Sequence, residues 1–143
     1  LATDDIPYFH LNLYEATSKK HSYTYSTMRA LREMYPGHEF FFILGADSLF
    51  SIEQWKNFRE IFPSCTILAA MRDDKDTESM QTQIRYLNEK YGADIRLLQA
   101  PLVEISSTTI RRRAEQGLSS RYMVRDIVSE YIQSNALYKL KSE

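Results

Sequence analysis

Three stretches of the 143-residue sequence combine glycine, hydroxyl, basic and aromatic residues in patterns that suit ligand binding. In the first, residues 43–49, an apolar run ends at Gly45 and is followed by Asp47. A glycine allows a ligand to approach the backbone closely. The Asp47 carboxylate could accept hydrogen bonds from a ribose or bind a cation. Because Asp47 or Ser48 could equally cap the helix that follows, the spacing also leaves a purely structural interpretation open.

The second stretch, residues 104–113, places four hydroxyl side chains directly before three arginines. Free N–H groups at a helix N-terminus bind anions, so a helix that starts near Ser106 would offer a phosphate site. Ser107 and Thr108 could add hydrogen bonds, and Arg111, one turn into the helix, could bind a polyphosphate as a bidentate fork. A capped helix with a solvated basic face is the alternative. Neighbouring arginines are about 100° apart, so not all three need bind.

The third stretch holds the single tryptophan, Trp55, followed by Lys56. A tryptophan at a sheet edge can stack on a flat heteroaromatic ring, and the attraction grows if that ring is a cationic pyridinium. A core position for Trp55 is the structural alternative. Further upstream, Ser22 is a candidate N-cap for a helix whose first turn would present Tyr23 and Thr24 to a ligand.

The elements that must position these stretches alternate between short strands and helices of about ten to fifteen residues, which predicts βαβ units and a parallel sheet. Strands are predicted at 9–13, 39–44, 66–71 and 95–98, and the continuous apolar run of 39–44 indicates a strand covered on both faces. Helices are predicted over 24–35, 52–62, 80–91, 106–117 and 124–132. Ligands bind outside the carboxyl ends of such strands, so we expect the three stretches to face a common cleft.

Composition fits one α/β domain over residues 1–143, since 43% of residues are hydrophobic and 26% are charged. The net charge of −1 favours neither a nucleic-acid nor a membrane partner. The lone Cys65 excludes an internal disulfide and is interpreted as a small buried hydrophobe. No metal-ligand spacing built on cysteine occurs. The sequence shows no membrane-length apolar run and no secretory signal, so a cytoplasmic location is expected. A homo-oligomer remains open.

The order and spacing of these pieces resemble the bacterial nicotinate-nucleotide adenylyltransferases of the HxGH nucleotidyltransferase superfamily. The resemblance covers almost the whole chain and is carried by residues 22–24, 45–49, Trp55, the Ile-Ser-Ser-Thr-x-Ile-Arg run of 105–111 and the tail at 131–138. It implies a Rossmann-like parallel sheet flanked by helices, with a helical C-terminal tail. It also implies transfer of an adenylyl group from ATP, with Mg²⁺, to nicotinate mononucleotide, which gives deamido-NAD and pyrophosphate.

On the ATP side, the resemblance implies that Gly45 and Asp47 contact the adenosine or its ribose. Arg72, after its strand, is a further candidate for the adenine side. The resemblance also implies a set of residues that bind the ATP phosphates, namely Ser106, Ser107, Thr108 and Arg111.

On the nicotinate side, the resemblance implies that Thr24 and the backbone near Trp55 and Lys56 hold the carboxylate, with Tyr23 nearby. Trp55 would stack on the pyridine ring. Both substrates are thus expected to be small molecules, and no metal site is assigned to the protein itself.

One departure from the family is clear: the sequence has no His-x-Gly-His motif, and it opens at Leu1 without an initiator methionine. We therefore expect an N-terminal strand–helix–strand unit to be missing, the fragment alone to be inactive, and no catalytic residue to be assignable within it. The alternatives are an adenylyltransferase for nicotinamide mononucleotide or phosphopantetheine, a non-catalytic nucleotide-binding module, and an α/β domain whose motifs are only caps and core.

Overall fold

The computed structural model describes residues 1–18, 21–71, 77–99 and 105–138, and the chain divides into two compact units. The first unit consists of Leu1–Leu11 and Val103–Glu143, and the second of Asn12–Leu102. Each unit is described by itself below. A single domain over residues 1–143 stays a prediction.

The second unit contains a parallel sheet of three strands, which confirms the predicted fold class. The strands are β1 (Phe41–Gly45), β2 (Thr66–Ala70) and β3 (Ile95–Leu98), in the order β1-β2-β3. Gly45 lies opposite Ala70, and Ala70 lies opposite Leu98. The carboxyl ends of all three strands therefore reach the same edge of the sheet, where the sequence predicts ligand binding.

Four of the five predicted helices are confirmed, with ends that differ by a few residues. The helices of the second unit are α1 (Tyr14–Thr17), α2 (Thr24–Met34), α3 (Ala46–Ser51) and α4 (Thr77–Tyr91); those of the first are α5 (Ser107–Glu115) and α6 (Asp126–Ser134). As predicted, Gly92 ends α4: its φ of 63° is left-handed, and its N–H donates to the Asn88 carbonyl.

The core of the second unit is apolar, and its fully buried side chains include Leu49, Ile52, Ile61, Ile67, Met80 and Leu87. Cys65 belongs to this core, with its thiol 3.6 Å from the Ile61 carbonyl oxygen, which confirms its interpretation as a small buried hydrophobe. Burial raises the pKa of the Cys65 thiol to about 11.

An ion pair between Arg125 and Asp5 joins the two chain segments of the first unit. The Arg125 guanidinium, just before α6, binds both carboxylate oxygens of Asp5 at 2.5 and 2.8 Å. The same side chain donates to the carbonyls of Leu1 and Ala2, each at 3.1 Å. This bidentate ion pair fixes the start of the chain against the start of α6.

The prediction of a strand at residues 9–13 is wrong for the described part of the chain. These residues form no strand, and Leu11 is 83% exposed. A strand is stable only when another strand satisfies its backbone groups. None of the described residues pairs with this stretch, so its alternating sequence does not produce a strand.

The prediction that β1 is covered on both faces is also wrong. β1 is one of the two edge strands of the described sheet, and Phe41 and Ile43 on one of its faces are 53% and 62% exposed. Leu44, on the opposite face, is buried. An apolar sequence indicates that the faces of a strand are suited to burial. Whether a face is buried depends on another element packing against it, and none of the described residues covers Phe41 and Ile43.

The predicted helix over 52–62 is replaced by three short 3₁₀ helices, Ile52–Gln54, Phe58–Glu60 and Phe62–Ser64. Trp55 is extended, with ψ of 145°, and Asn57 is left-handed, with φ of 51°. Asparagine tolerates this conformation better than most residues, and an α-helix cannot continue through it. The apolar spacing still brings Ile52 and Phe62 into the core.

One side chain joins α4 to the sheet, and we expect its loss to destabilise the second unit. The Asn88 amide nitrogen donates to the Ile95 carbonyl at 3.1 Å, and the Ile95 N–H donates to the Asn88 side-chain oxygen at 3.0 Å. Asn88→Ala would leave both backbone groups without that partner and should lower the free energy of unfolding by about 1–3 kcal/mol. Urea denaturation measures this. The exposed neighbour substitution Glu89→Ala is the control, and equal stabilities of the two variants would contradict the prediction.

Candidate active site

A pocket of about 280 Å³ in the second unit brings together every residue predicted on the nicotinate side. Its lining consists of Ser22, Tyr23, Thr24, Trp55 and Lys56. These residues come from two chain segments more than thirty positions apart in the sequence. That they bind substrate stays a prediction, but their proximity is now a feature of the fold.

The start of α2 forms one wall of this pocket, and its cap differs from the prediction. The N-cap is Tyr23, not Ser22. Ser26 supplies the capping side chain: its Oγ donates to the Tyr23 carbonyl at 2.7 Å and accepts the Tyr23 N–H at 3.3 Å. Thr24 is thus the first helical residue, and its N–H is one of those that a helix cannot satisfy internally. The positive end of the helix dipole therefore lies at the pocket.

The opposite wall is Trp55, at the end of the first 3₁₀ helix. The Trp55 backbone N–H donates to the Ile52 carbonyl at 3.0 Å, and the backbone of Trp55 is extended, which ends the helix. The indole is half-buried and meets the Phe42 ring edge-on, with centroids 6.3 Å apart. Phe42 lies in β1, so the core holds one side of the indole while another side lines the pocket.

The Tyr23 ring organises the aromatic side of the pocket. It stacks on Tyr25 with centroids 6.1 Å apart and receives the edge of His21 at 4.8 Å. The Lys56 ammonium lies 4.5 Å from the Tyr23 ring centroid, within the range of a cation–π interaction. The described lining of the pocket therefore combines two aromatic rings, three hydroxyl groups and one cation.

A polar cluster behind Trp55, which the sequence interpretation missed, anchors the turn that carries it. Glu53 accepts hydrogen bonds from the hydroxyl of Tyr91, from Lys90 at 3.2 Å and from the hydroxyl of Tyr86 at 3.3 Å. The Tyr91 bond is the largest cause that holds the pKa of Glu53 below its ordinary value of 4.5. The i, i+4 spacing of Tyr86 and Lys90 was visible in the sequence, but nothing there pointed to Glu53.

The lowered pKa of Glu53 predicts a pH dependence of stability. A carboxylate with a depressed folded-state pKa stabilises the fold fully above its unfolded pKa, near 4.5, and loses that contribution as pH falls through the folded value. Glu53→Gln should therefore melt below the wild type at pH 7, and the gap should shrink below pH of about 4.5. Thermal melts of both proteins across pH measure it. A gap that is constant down to acid pH would contradict the prediction.

On the adenosine side, Gly45 ends β1 and is the N-cap of α3. A Cβ built on Gly45 would have no described atom within 4 Å, and its φ of −86° is open to any residue. Neither strain nor packing in the described residues therefore requires glycine here. Asp47 is exposed in the first turn of α3, and its carboxylate has no hydrogen bond or ion pair among the described residues. The alternative that Asp47 or Ser48 caps α3 is not what the structure shows.

In the first unit, Ser106 caps α5 as the sequence predicts. Its hydroxyl accepts the Thr109 N–H at 3.1 Å and lies 3.0 Å from the Thr109 hydroxyl. Ser107 and Thr108, in the first turn, are exposed. A nine-residue helix with a polar first turn and no acidic residue there offers a positive end to an anion.

The three arginines of α5 have different surroundings. Arg113 Nε donates to the Ser119 carbonyl at 2.7 Å and thereby holds the loop after the helix. Arg111 and Arg112 are exposed and form no hydrogen bond or ion pair with the residues that the structure describes. Arg111 is the nearer of the two to the helix N-terminus, and its role in phosphate binding stays a prediction.

The phosphate candidates at 106–111 belong to the first unit, and the pocket and Gly45 belong to the second. A common cleft for the two sets stays a prediction. Arg72 and Glu104 lie outside the described residues.

Within the described part of the chain, no group of three or more acidic, histidine or cysteine side chains could hold a metal ion. No described helix is long and apolar enough to cross a membrane.

A model of the cytidylyltransferase-like family matches residues 5–113 of this chain, and this match shows the class to which the protein belongs. A probable nicotinate-nucleotide adenylyltransferase of Lachnoclostridium phytofermentans is 40% identical over 138 residues, which are 96% of this chain and 69% of that protein. Another, from Caldicellulosiruptor bescii, is 34% identical over 97% of this chain and 69% of its own length. The chain belongs to the nicotinate-nucleotide adenylyltransferase family within the cytidylyltransferase-like class.

Solved structures support the fold. The Plasmodium falciparum nicotinic acid mononucleotide adenylyltransferase complexed with APC matches 84% of this chain with a TM-score of 0.63 and 20% identity. The same protein complexed with NaAD gives the same TM-score. The chain spans 60% and 58% of these two structures.

Proposed function

We propose that this chain takes part in the transfer of an adenylyl group from ATP to nicotinate mononucleotide, which yields deamido-NAD and pyrophosphate. The observation that carries the proposal is the pocket at the start of α2, where two aromatic rings, three hydroxyls and a lysine meet. The names of the relatives at 40% and 34% identity support the same reaction.

The pocket suits a nicotinate group on physical grounds. The pyridinium ring of the mononucleotide is flat and cationic, and such a ring stacks well on the face of an indole. Its carboxylate is an anion, which the exposed N–H groups and the dipole of α2 favour. The Thr24 hydroxyl, half-buried in the pocket lining, can donate a hydrogen bond to that carboxylate. Tyr23, Thr24, Trp55 and Lys56 together would therefore fix the acceptor substrate.

The ATP side rests on two further features. The open backbone at Gly45 allows adenosine to approach the carboxyl end of β1. The Asp47 carboxylate, which has no partner among the described residues, can accept hydrogen bonds from ribose hydroxyls. The exposed hydroxyls of Ser107 and Thr108 and the Arg111 guanidinium can bind phosphate oxygens at the positive end of α5.

The chemistry requires little covalent work from the protein. The 5′-phosphate of the mononucleotide attacks the α-phosphorus of ATP, and pyrophosphate leaves. Catalysis then consists of aligning the two phosphates and stabilising charge on the leaving group. We propose that Mg²⁺ arrives bound to the ATP phosphates, where it would neutralise their charge.

The single tryptophan provides a direct test of the nicotinate pocket. Titration of the chain with nicotinate mononucleotide should change Trp55 fluorescence in a saturable way, and a nicotinate-free ribose phosphate should not. Turnover should be measured on the parent polypeptide, meaning the gene product in which these 143 residues occur, because they contain no His-x-Gly-His motif. A folded chain with a flat titration, together with a parent polypeptide that forms no deamido-NAD, would refute the proposal.

A further inference from the structure

Among the residues that the structure describes, one formally charged side chain lines the nicotinate pocket, and it is that of Lys56. The other described lining residues are neutral aromatic or hydroxyl residues. A pocket of this composition can recognise a pyridine ring by stacking whether the ring bears a carboxylate or a carboxamide. Stacking alone therefore does not distinguish the acid from the amide, and charge is one property that does.

The charge of Lys56 is available to a ligand. Its ammonium lies over the Tyr23 ring, 4.5 Å from the centroid, and forms no ion pair among the described residues. Lys90 provides the contrast: it also lies over aromatic rings, but it pairs with Glu53 at 3.2 Å. A ring face holds a cation in place without neutralising it. The Tyr23 ring therefore positions the Lys56 ammonium, and this ammonium can still pair with an anionic group of a ligand.

The start of α2 adds a second positive feature to the same pocket. Thr24 is the first residue of this 11-residue helix, and the helix dipole places partial positive charge there. Both features favour a carboxylate. A carboxamide presents a neutral oxygen and an N–H₂ donor, and hydrogen bonds to a charged acceptor are roughly twice as strong as those to a neutral one.

We propose that the Lys56 ammonium is a specificity determinant that selects the nicotinate acid over the nicotinamide amide. This inference rests on the proposed function and extends it. When the mononucleotide binds, the Lys56 side chain moves from the Tyr23 ring to the substrate carboxylate, while Trp55 stacks on the pyridinium. The flexible lysine stem allows this movement, because the side chain is exposed and only a ring contact holds it.

The test compares the acid and amide mononucleotides by titration of Trp55 fluorescence in three variants. Lys56→Met keeps the aliphatic stem and removes the charge, so the ratio of acid to amide affinity should fall about three- to tenfold, which corresponds to one charge-assisted contact at a partly exposed site. Lys56→Arg should keep most of the preference. Arg85→Met, on the exposed surface of α4, makes the same change in net charge and should not alter the ratio.

Ionic strength gives an independent readout. Added salt should weaken acid binding to the wild type more than to Lys56→Met, because screening acts on the charge that the variant lacks. A wild type that prefers the acid, with a Lys56→Met variant that retains the full preference, would overturn the role of Lys56 and leave the proposed function standing. A wild type that binds neither mononucleotide would overturn both.

Discussion

Replacing Arg111 by alanine in the parent polypeptide is expected to lower kcat/KM for ATP by about 10²–10³-fold, as loss of one preorganised contact to developing phosphate charge typically does. Arg111 is exposed one turn into α5, behind a first turn of hydroxyl residues, and has no partner among the described residues. Its guanidinium can therefore form a bidentate contact with phosphate oxygens. Steady-state kinetics with varied ATP measure the effect, and KM for nicotinate mononucleotide should change much less.

The same helix offers matched controls for Arg111. Arg112→Ala removes the same charge about 100° around the helix and should change kcat/KM for ATP only a few-fold. Arg113→Ala removes the hydrogen bond to the Ser119 carbonyl and should act mainly on stability. If Arg112→Ala proves as damaging as Arg111→Ala, then α5 acts through general positive charge, and the specific role of Arg111 is wrong.

Replacing Trp55 by alanine should raise KM for nicotinate mononucleotide by about 10–100-fold, the range that loss of one aromatic stacking partner produces. The half-buried indole lines the pocket and is held from behind by Phe42. Trp55→Phe retains a flat ring and should recover most of the affinity. Kinetics of the parent polypeptide and calorimetric titration provide the measurements, since the alanine variant lacks the Trp55 fluorescence signal.

A structural control separates stacking from packing. Phe58 is another half-buried aromatic residue in the same series of 3₁₀ helices, where it packs against Phe62 and Tyr91 and does not line the pocket. Phe58→Ala should lower stability without raising KM for either substrate. If Phe58→Ala and Trp55→Ala raise KM equally, the effect of Trp55 reflects local unfolding and not contact with the pyridine ring.

Much of the fold could be predicted because local sequence determines it. The apolar runs of β1, β2 and β3 and the periodic pattern of α4 with its terminal Gly92 need only nearby residues to be interpreted. The errors occurred where a partner decides the outcome. Residues 9–13 have the alternation of a strand but pair with none of the described residues, and β1 is apolar on a face that none of them covers.

The candidate site shows the same division. Sequence spacing selected Tyr23, Thr24, Trp55 and Lys56, and the structure places all four around one pocket. The sequence could not identify Glu53, because its hydrogen-bond partners on α4 lie 33 to 38 positions further along the chain. Nor could it anticipate that the segment carrying Trp55 is extended, since helical periodicity over 52–62 does not reveal the left-handed Asn57.

The buried thiol of Cys65 has a practical consequence for experiments on this protein. Cys65 is buried, and burial raises the pKa of its thiol to about 11. We therefore expect the native cysteine to stay a protonated thiol and to react slowly with maleimides at neutral pH. It is also the single cysteine of the sequence. Two cysteines, one introduced on the surface of α4 and one on that of α5, could therefore carry spin labels selectively, without first mutating the native thiol, and the distance between the two units could be measured in solution.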